Sequence, residues 1–386
     1  MGRSAARVAP RIRTPMLPPH HLQQPLGERR HQRSVQLGAA TGRFRELLAK
    51  LGSGERTSTG LSQEEACEAI ERILGGLASP EQVGAFLIAH RLRRPQPEEM
   101  AGMLQAYRQL GPTLPAVERR EMSFGVPFDG RCRDAPLLPL TALVLVAAGL
   151  AVVLHGSEPM PVKYGATNAE LMAAIGLPLA ELEWAAMEQH YRRTGLALMH
   201  QARHFPAAES LVPVREQIGK RPPIASLELL WSSSSRPALQ VSGFVHAPTE
   251  TLAAATWKLL GQAEGLTVKG LEGGTDLPTS RVAVAGHWRI AATEPERLLL
   301  QARDYGLQAA ETPLNTLAEW RDQALAALRC EGPLANGLIW NAGFYLWRSS
   351  HCPSLEAGLS QAETLLREGH GEALRQALEQ GLNHEP

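Results

Sequence analysis

Residues 135–154 include no charged side chain, although 20% of the whole chain is charged. A run of this length and composition would suit a membrane span. Gly149, however, stands where a helix would end, and the β-branched residues after it fit a short buried strand. We therefore predict a buried helix followed by a buried strand of a parallel sheet, and no membrane span.

The segment just before this run has the position of a turn that binds phosphate. Residues 124–130 read FGVPFDG. A phosphate turn needs glycine, because the backbone must approach the ligand closely and present free N–H groups. Pro127 has no N–H group, and Phe128 is bulky. The layout indicates a phosphate turn, whereas these two residues are poorly suited to hold phosphate.

The charges of the 386-residue chain sum to zero but are unevenly distributed. Residues 1–36 hold seven arginines and one acidic residue, which leaves 32 basic against 38 acidic residues in the remainder. Residues 1–40 have few apolar side chains and no periodicity, so we predict a disordered Arg/Pro-rich tail. It could also be a targeting segment, a nucleic-acid arm or an upstream mis-start. The acidic body confines any nucleic-acid binding to this tail or to a local patch.

The cysteines are widely separated and form no CxxC or Cys/His spacing. Neither a zinc site nor a disulfide framework is indicated, and a cytoplasmic location fits best. The four residues are Cys67, Cys132, Cys330 and Cys352.

Helix-start signals occur three times in quick succession after Phe44, where we expect structure to begin. They lie at Ser62–Glu65, Ser79–Gln82 and Pro97. We predict a helical domain over residues 41–115, joined by helices around 180–204. His90 lies on the apolar face of the second helix and is interpreted as a core or interface residue.

From Met122 onward, apolar β-rich runs alternate with helical patterns, which predicts an α/β domain over residues 120–386. An open parallel sheet covered on both faces would bind ligands beyond the carboxyl ends of its strands, near Gly156 and Gly270. The predicted strands are 151–155, 239–246, 265–271 and 281–287. The predicted helices are 167–176, 250–262, 294–306, 314–328 and 355–380.

The run from Leu61 to Arg108 resembles, almost position for position, the helical dimerisation domain of the anthranilate phosphoribosyltransferase family. This family is part of glycosyl transferase family 3, and the order of segments agrees to about residue 380. The resemblance implies a small N-terminal helical domain and a large α/β domain with a central, mainly parallel sheet, of the nucleoside phosphorylase/phosphoribosyltransferase type. It also implies a homodimer through the helical domain and a relation to tryptophan biosynthesis.

That family holds phosphoribosyl pyrophosphate (PRPP) with a GTGGD turn, an NxST element and a KHGN segment. The turn is kept only in part here, the NxST element is absent around residues 135–139, and Leu154 and Ser157 replace the lysine and the asparagine of KHGN. The resemblance implies substrate-binding candidates at Gly125, Asp129, Gly130, His155, Gly156, Lys163 and Arg215.

Three of the implied roles have plainer alternatives. Arg215 corresponds to the arginine beside the anthranilate carboxylate, but it could form a surface ion pair. Glu272 and Asp276 fall near the acidic pair that helps to hold Mg²⁺, but they could be solvated loop carboxylates. His155, at the end of a strand, could be structural and bonded to backbone.

Displacement of pyrophosphate relies mainly on positioning and on a charge clamp of Mg²⁺ and basic residues. Each such electrostatic contact is typically worth about 2.7–4 kcal/mol of barrier. Because the turn, the lysine and much of the acidic pair are altered together, we predict weak or lost transfer from PRPP to anthranilate. Arg131, Arg133 or Lys163 could restore some affinity for anions.

The segments FDGRCR and LLPLTALVL resemble a divergent branch of the family, whose members are thought to bind nucleic acid. The first alternative is therefore a non-catalytic paralogue that binds nucleic acid or a partner, with the Arg-rich tail as an anchor. The second is phosphoribosyl transfer to a different acceptor with Asp129, Lys163 and Asp276.

Overall fold

The computed structural model describes residues 39–54, 57–235 and 239–383. Most of the predicted tail, residues 1–38, lies outside the described residues, and so does the proposed nucleic-acid arm. Residues 39 and 40 begin the first helix and are therefore not part of a disordered tail.

Four N-terminal helices form a bundle, and each predicted helix start is confirmed. Reciprocal capping boxes fix three of these starts, because each N-cap residue and the third helical residue bond each other's backbone. The pairs are Ser62 with Glu65, Ser79 with Gln82, and Gln96 with Glu99. The helices are α1 (Ala39–Gly52), α2 (Gln63–Leu74), α3 (Pro80–Arg93) and α4 (Pro97–Leu110).

The α/β domain is built on a sheet that has seven strands within the described ranges, in the order β3-β2-β1-β4-β5-β6-β7. The neighbours from β3 to β5 pair in parallel, whereas β6 and β7 pair antiparallel. The sheet is thus mixed but mainly parallel. The strands are β1 (Glu121–Gly125), β2 (Ala151–Gly156), β3 (Leu196–His200), β4 (Leu239–Gly243), β5 (Glu264–Val268), β6 (Ala283–Arg289) and β7 (Glu296–Leu300).

Helices cover the sheet and also return to the bundle. The charge-free run forms a buried helix and the strand β2, as predicted, and no helix in the described part of the chain is both long and apolar enough to cross a membrane. The helices are α5 (Leu138–Ala147), α6 (Asn168–Ala174), α7 (Trp184–Thr194), α8 (Gln201–His204), α9 (Pro206–Glu209), α10 (Val212–Ile218), α11 (Ile224–Leu230), α12 (Ala247–Leu259), α13 (Leu317–Ala327), α14 (Ala335–Arg348), α15 (Leu355–Arg367) and α16 (His370–Asn383).

Two predicted helices were wrong in part. The segment 294–306 forms β7 and a short 3₁₀ turn, because Glu296–Leu300 completes the antiparallel edge beside β6. The segment 180–204 contains α7 but also β3, whose short apolar run pairs with β2. Short apolar runs do not distinguish a buried strand from a helix, so only the tertiary pairing decides.

Two hydrophobic cores meet at the turn after β1. The first surrounds the sheet and includes Val126, and the second lies in the helical bundle and includes Phe128. Helices α8–α11 leave the sheet after β3 and pack on the bundle, where the rings of Phe205 and Trp231 contact Tyr107. The turn 126–130, which we call the donor turn, therefore lies where the two cores meet.

Candidate functional site

Gly130 in the donor turn and Gly125 just before it are required by contacts within the protein. Gly130 has φ +79°, and a Cβ atom there would lie 2.4 Å from the carbonyl oxygen of Gly165. A Cβ on Gly125 would lie 2.0 Å from the carbonyl oxygen of Leu229. Both glycines thus permit close approach of the backbone to other backbone, which does not depend on a ligand.

Two amides of the donor turn, and that of Arg131 just after it, are also used internally. The Phe128 N–H donates to Glu228 Oε2 at 2.8 Å, and the Gly130 N–H donates to the carbonyl oxygen of Pro127 at 3.3 Å. The Arg131 N–H donates to the carbonyl oxygen of Ala166 at 3.0 Å. Pro127 has no backbone N–H group. These amides already have acceptors in the protein.

A carboxylate occupies the row of amides that follows the turn. Glu272 Oε1 accepts hydrogen bonds from the backbone N–H groups of Cys132 at 3.2 Å, Arg133 at 2.9 Å and Asp134 at 3.2 Å. Successive amides that converge in this way form an anion-binding nest. Glu272 has φ +53° and lies in the 3₁₀ turn Leu271–Gly273. The protein's own carboxylate thus binds where an oxyanion could.

Basic side chains complete the surroundings of this carboxylate. Arg131 Nε lies 3.2 Å from Glu272 Oε1, and Lys163 Nζ lies 3.5 Å from Glu272 Oε2. Burial by itself would raise the pKa of Glu272, but the Arg133 amide, Arg131, the Asp134 amide and Lys163 more than offset it and lower the pKa to about 2. Glu272 is therefore ionised throughout the physiological range.

The guanidinium of Arg131 joins the two carboxylates that were metal candidates. Its Nη1 donates to Asp276 Oδ2 at 2.9 Å, and the same oxygen accepts from the Leu137 N–H at 3.0 Å. A divalent cation would have to displace Arg131 from both Glu272 and Asp276. Mg²⁺ is usually held by one or two carboxylates together with substrate phosphates, and here Arg131 holds both candidate carboxylates. The site as folded does not fit Mg²⁺.

His155, at the end of β2, is bonded to backbone on both sides of its ring. Its Nδ1 lies 3.1 Å from the carbonyl oxygen of Phe124, and its Nε2 accepts from the Ser233 N–H at 3.1 Å. Burial lowers the pKa of His155 to about 4, so the ring is neutral, with its proton on Nδ1. This arrangement matches the structural alternative. A Cβ atom on the neighbouring Gly156 would make only ordinary contacts, the nearest with Asn168 Cβ at 3.5 Å.

The remaining substrate candidates belong to a buried ionic network. Arg215 pairs with Glu228, and the pair is buried, unlike the surface pair considered as an alternative. Asp129 is fully buried and pairs with Arg221, and Arg215 Nη2 lies 3.8 Å from Asp129 Oδ2. Asp129 Oδ1 has no hydrogen-bond partner among the described residues. Arg221 and Glu228 were not predicted from the sequence. Arg221 bonds Asp129, 92 residues away, and Glu228 bonds Arg215 and the Phe128 N–H, 13 and 100 residues away.

The space left at the donor turn is small. A cavity of about 30 Å³ is lined by Pro127, Phe128, Arg131, His155 and Asp276, among others. Pockets for small ligands typically measure about 300–1,000 Å³. A diphosphate sugar does not fit the cavity in this conformation.

The chain thus joins a helical bundle to a mixed α/β domain, and the donor turn and Glu272 lie beyond the carboxyl ends of the central strands, where α/β proteins bind ligands. Residues 45–111 match the helical bundle domain of a glycosyl transferase family, and residues 139–372, more than half of the chain, match its a/b domain. The chain therefore belongs to glycosyl transferase family 3.

Relatives of known sequence cover most of the chain. An anthranilate phosphoribosyltransferase of Thermus thermophilus is 29% identical over 318 residues, which is 80% of this chain and 92% of the relative. One of Azorhizobium caulinodans is 27% identical over 338 residues, or 86% and 94%. An uncharacterised protein of Aquifex aeolicus is also 27% identical, over 306 residues, or 78% and 92%.

Solved structures share the fold. The crystal structure of the Thermus thermophilus anthranilate phosphoribosyltransferase has a TM-score of 0.72 at 24% identity and covers 88% of this chain and 99% of its own. The Saccharomyces cerevisiae enzyme, in complex with PRPP and Mg, has a TM-score of 0.73 at 14% identity and covers 90% and 99%. At these identities the likeness concerns the fold alone.

Proposed function

We propose that this family member has a remodelled donor site and that its transfer of a phosphoribosyl group from PRPP to anthranilate is weak or lost. The proposal rests on one observation. Arg131 bridges Glu272 and Asp276, so a permanent guanidinium stands where the implied Mg²⁺ would bind. The altered turn and this bridge also support membership of the divergent branch of the family.

Electrostatics explains why a guanidinium in place of Mg²⁺ would weaken catalysis. A metal ion held by Glu272 and Asp276 would stabilise the negative charge that develops on the departing diphosphate. The Arg131 guanidinium, by contrast, is already neutralised by two carboxylates and has a further bond to the carbonyl oxygen of Asp134 at 3.2 Å. The Glu272 carboxylate would also repel a diphosphate from the amides that it occupies.

Calorimetry on the full chain tests the proposal. PRPP is titrated into the protein with and without Mg²⁺, with the Thermus thermophilus relative as a matched positive control. We expect metal-dependent heat for the control and none at micromolar PRPP for this chain. Micromolar, metal-dependent binding by this chain would contradict the proposal and would favour the alternative of transfer to another acceptor.

The charge of residues 1–36 supports a second candidate function, the binding of nucleic acid. Binding of single-stranded DNA is measured against salt concentration for the full chain and for a chain that lacks residues 1–38. A steep salt dependence that disappears on truncation assigns the contact to this segment. An absence of binding at low salt removes this candidate.

Two exposed apolar residues of α3 support the proposed homodimer. Ile88 and Leu92 are one helical turn apart, and Leu92 is 80% exposed. A Leu92→Glu variant should lower the molar mass found by light scattering from that of a dimer to that of a monomer. A Leu77→Glu variant, at the exposed residue between α2 and α3, tests whether the interface extends to that connection.

A further inference from the structure

A second cleft lies beyond the carboxyl ends of β2 and β3, beside the edge of the sheet. Its volume is about 490 Å³, which lies within the range of about 300–1,000 Å³ for small-molecule sites. The floor is made of small side chains, and polar side chains stand around it. The residues used below are Glu158, Glu170, Glu181, His200 and Arg203.

His200 is a buried polar side chain without a hydrogen-bond partner. It is 4% exposed, lines the cleft, and neither ring nitrogen has such a partner within the described ranges. Glu158 Oε1 lies 3.4 Å from its Nε2, which is an ion-pair distance but does not have hydrogen-bond geometry. The neighbouring His204 differs, because its Nδ1 accepts from the His200 N–H at 2.9 Å and its Nε2 lies 2.7 Å from the Leu182 carbonyl oxygen. A buried imidazole without partners implies a missing one.

The charges around the cleft are predominantly negative. Three glutamates line it against one arginine, and Arg203 is itself paired with Glu183 at 2.5 Å. Glu170 is held at the start of α6 by the Thr167 N–H at 2.9 Å, so its negative charge has a fixed position. Glu158 is 65% exposed on its side-chain surface and stands at the open side. The missing partner of His200 should therefore be a cation that donates hydrogen bonds.

We infer that this cleft binds a small organic ammonium compound, with its N–H groups donated to the His200 ring and to the Glu158 carboxylate. Burial lowers the pKa of His200, which keeps the ring neutral and able to accept a hydrogen bond. A metal ion fits less well, because no metal-binding group of His, Cys, Asp or Glu is found in the described part of the chain. This inference does not depend on the proposed loss of transfer activity.

The test uses 1,4-diaminobutane as the probe and the full chain at low ionic strength. Calorimetry should give saturable binding of the diamine and none of 1,4-butanediol, which has a similar length but no charge. His200→Phe keeps an aromatic ring but removes the acceptor, and the dissociation constant should rise about tenfold or more, the effect of one charge-assisted hydrogen bond. Glu158→Gln should raise it about threefold, as for an exposed ion pair.

One control variant and one second test variant keep the inference falsifiable. Glu98→Gln changes an exposed glutamate on α4 in the helical bundle and should leave the diamine affinity unchanged. Because Glu158 is exposed, its variant should fold even if His200→Phe does not. The inference is overturned if the diol binds as well as the diamine, if no saturable binding of diamine occurs, or if Glu158→Gln binds it like the unaltered protein.

Discussion

Glu99 in the helical bundle and Glu272 beside the donor turn are both buried carboxylates that accept hydrogen bonds from backbone amides. Glu99 accepts from the N–H groups of Leu61 at 2.9 Å and Gln96 at 2.8 Å, and His90 Nε2 lies 3.3 Å away. Burial would raise the pKa of Glu99, but these bonds, with that from His90 the largest, lower it to about 2. Each carboxylate thus serves as the acceptor for backbone N–H groups of another chain segment.

The two carboxylates differ in how far apart in the sequence their partners lie. Glu99 is the third residue of its helix and bonds the N-cap residue, Gln96, three positions earlier. Glu272 bonds amides 138 to 140 residues away, beside the turn that resembles a phosphate site. A carboxylate that accepts backbone N–H bonds caps a helix in the bundle, whereas in the α/β domain such a carboxylate occupies an anion nest. The function of a carboxylate therefore depends on which amides the fold brings to it.

Replacement of either carboxylate should destabilise the protein strongly. Glu272→Ala should lower the free energy of unfolding by about 3–5 kcal/mol, because Arg131 and three amides lose their buried partner. Glu99→Ala should cost a similar amount, and urea unfolding measures both. Millimolar inorganic phosphate should then stabilise only the Glu272 variant, because only that site is an anion nest. Equal effects of phosphate on both variants would contradict the distinction.

Acid should remove the stabilisation that Glu99 gives to the helical bundle and Glu272 gives to the donor turn over the same pH range. The folded-state pKa of each glutamate is about 2 against an ordinary value of 4.5, so the stabilisation is complete above pH 4.5 and is lost as the pH falls to about 2. For a shift of this size the linked loss is about 3 kcal/mol per group. Urea midpoints measured between pH 6 and about 2.5 should fall less steeply for Glu272→Gln than for the unaltered protein. Parallel curves would show that folding does not lower the pKa of Glu272.

The donor turn can be tested with two glycines that share a positive φ. Gly130→Ala should cost about 2–4 kcal/mol, because its Cβ would lie 2.4 Å from the Gly165 carbonyl oxygen. Gly219→Ala has φ +60° and no described atom within 4 Å, so only the backbone strain of about 1–2 kcal/mol should remain. Thermal unfolding of both variants separates the destabilisation caused by the steric clash at position 130 from that caused by the positive φ alone. Similar losses would refute a steric role for Gly130.

The smallest effect is expected in the bundle, at Gly84 in α3. No described atom lies within 4 Å of a Cβ built there, so Gly84→Ala should stabilise the protein by about 0.5–1 kcal/mol through helix propensity alone. Gly102→Ala on α4 is the matched control, since its Cβ would lie 2.0 Å from the Gln63 carbonyl oxygen and should destabilise instead. Urea unfolding gives the sign of each change, and a loss of stability at Gly84 would contradict the open space around it.

Local sequence patterns predict the features of this fold that depend on neighbouring residues. The starts of α2, α3 and α4, the burial of residues 135–154 and the strand β2 follow from capping pairs, prolines and uninterrupted apolar side chains. The mainly parallel sheet follows from the alternation of strands and helices. Helix α14 was not predicted, because it is buried on nearly every side and its sequence has no polar face.

The contacts of the candidate site residues, by contrast, depend on long-range packing. Glycine at 130 and carboxylates at 272 and 276 are compatible with a site for PRPP and Mg²⁺. In the folded protein, however, Gly130 packs against the backbone of Gly165, and both carboxylates bond Arg131. These contacts join residues 35 to 145 positions apart, so no local pattern can reveal them. A sequence specifies which donors, acceptors and charges exist, but long-range packing determines which of them meet, because buried polar groups take the partners that the fold places within reach.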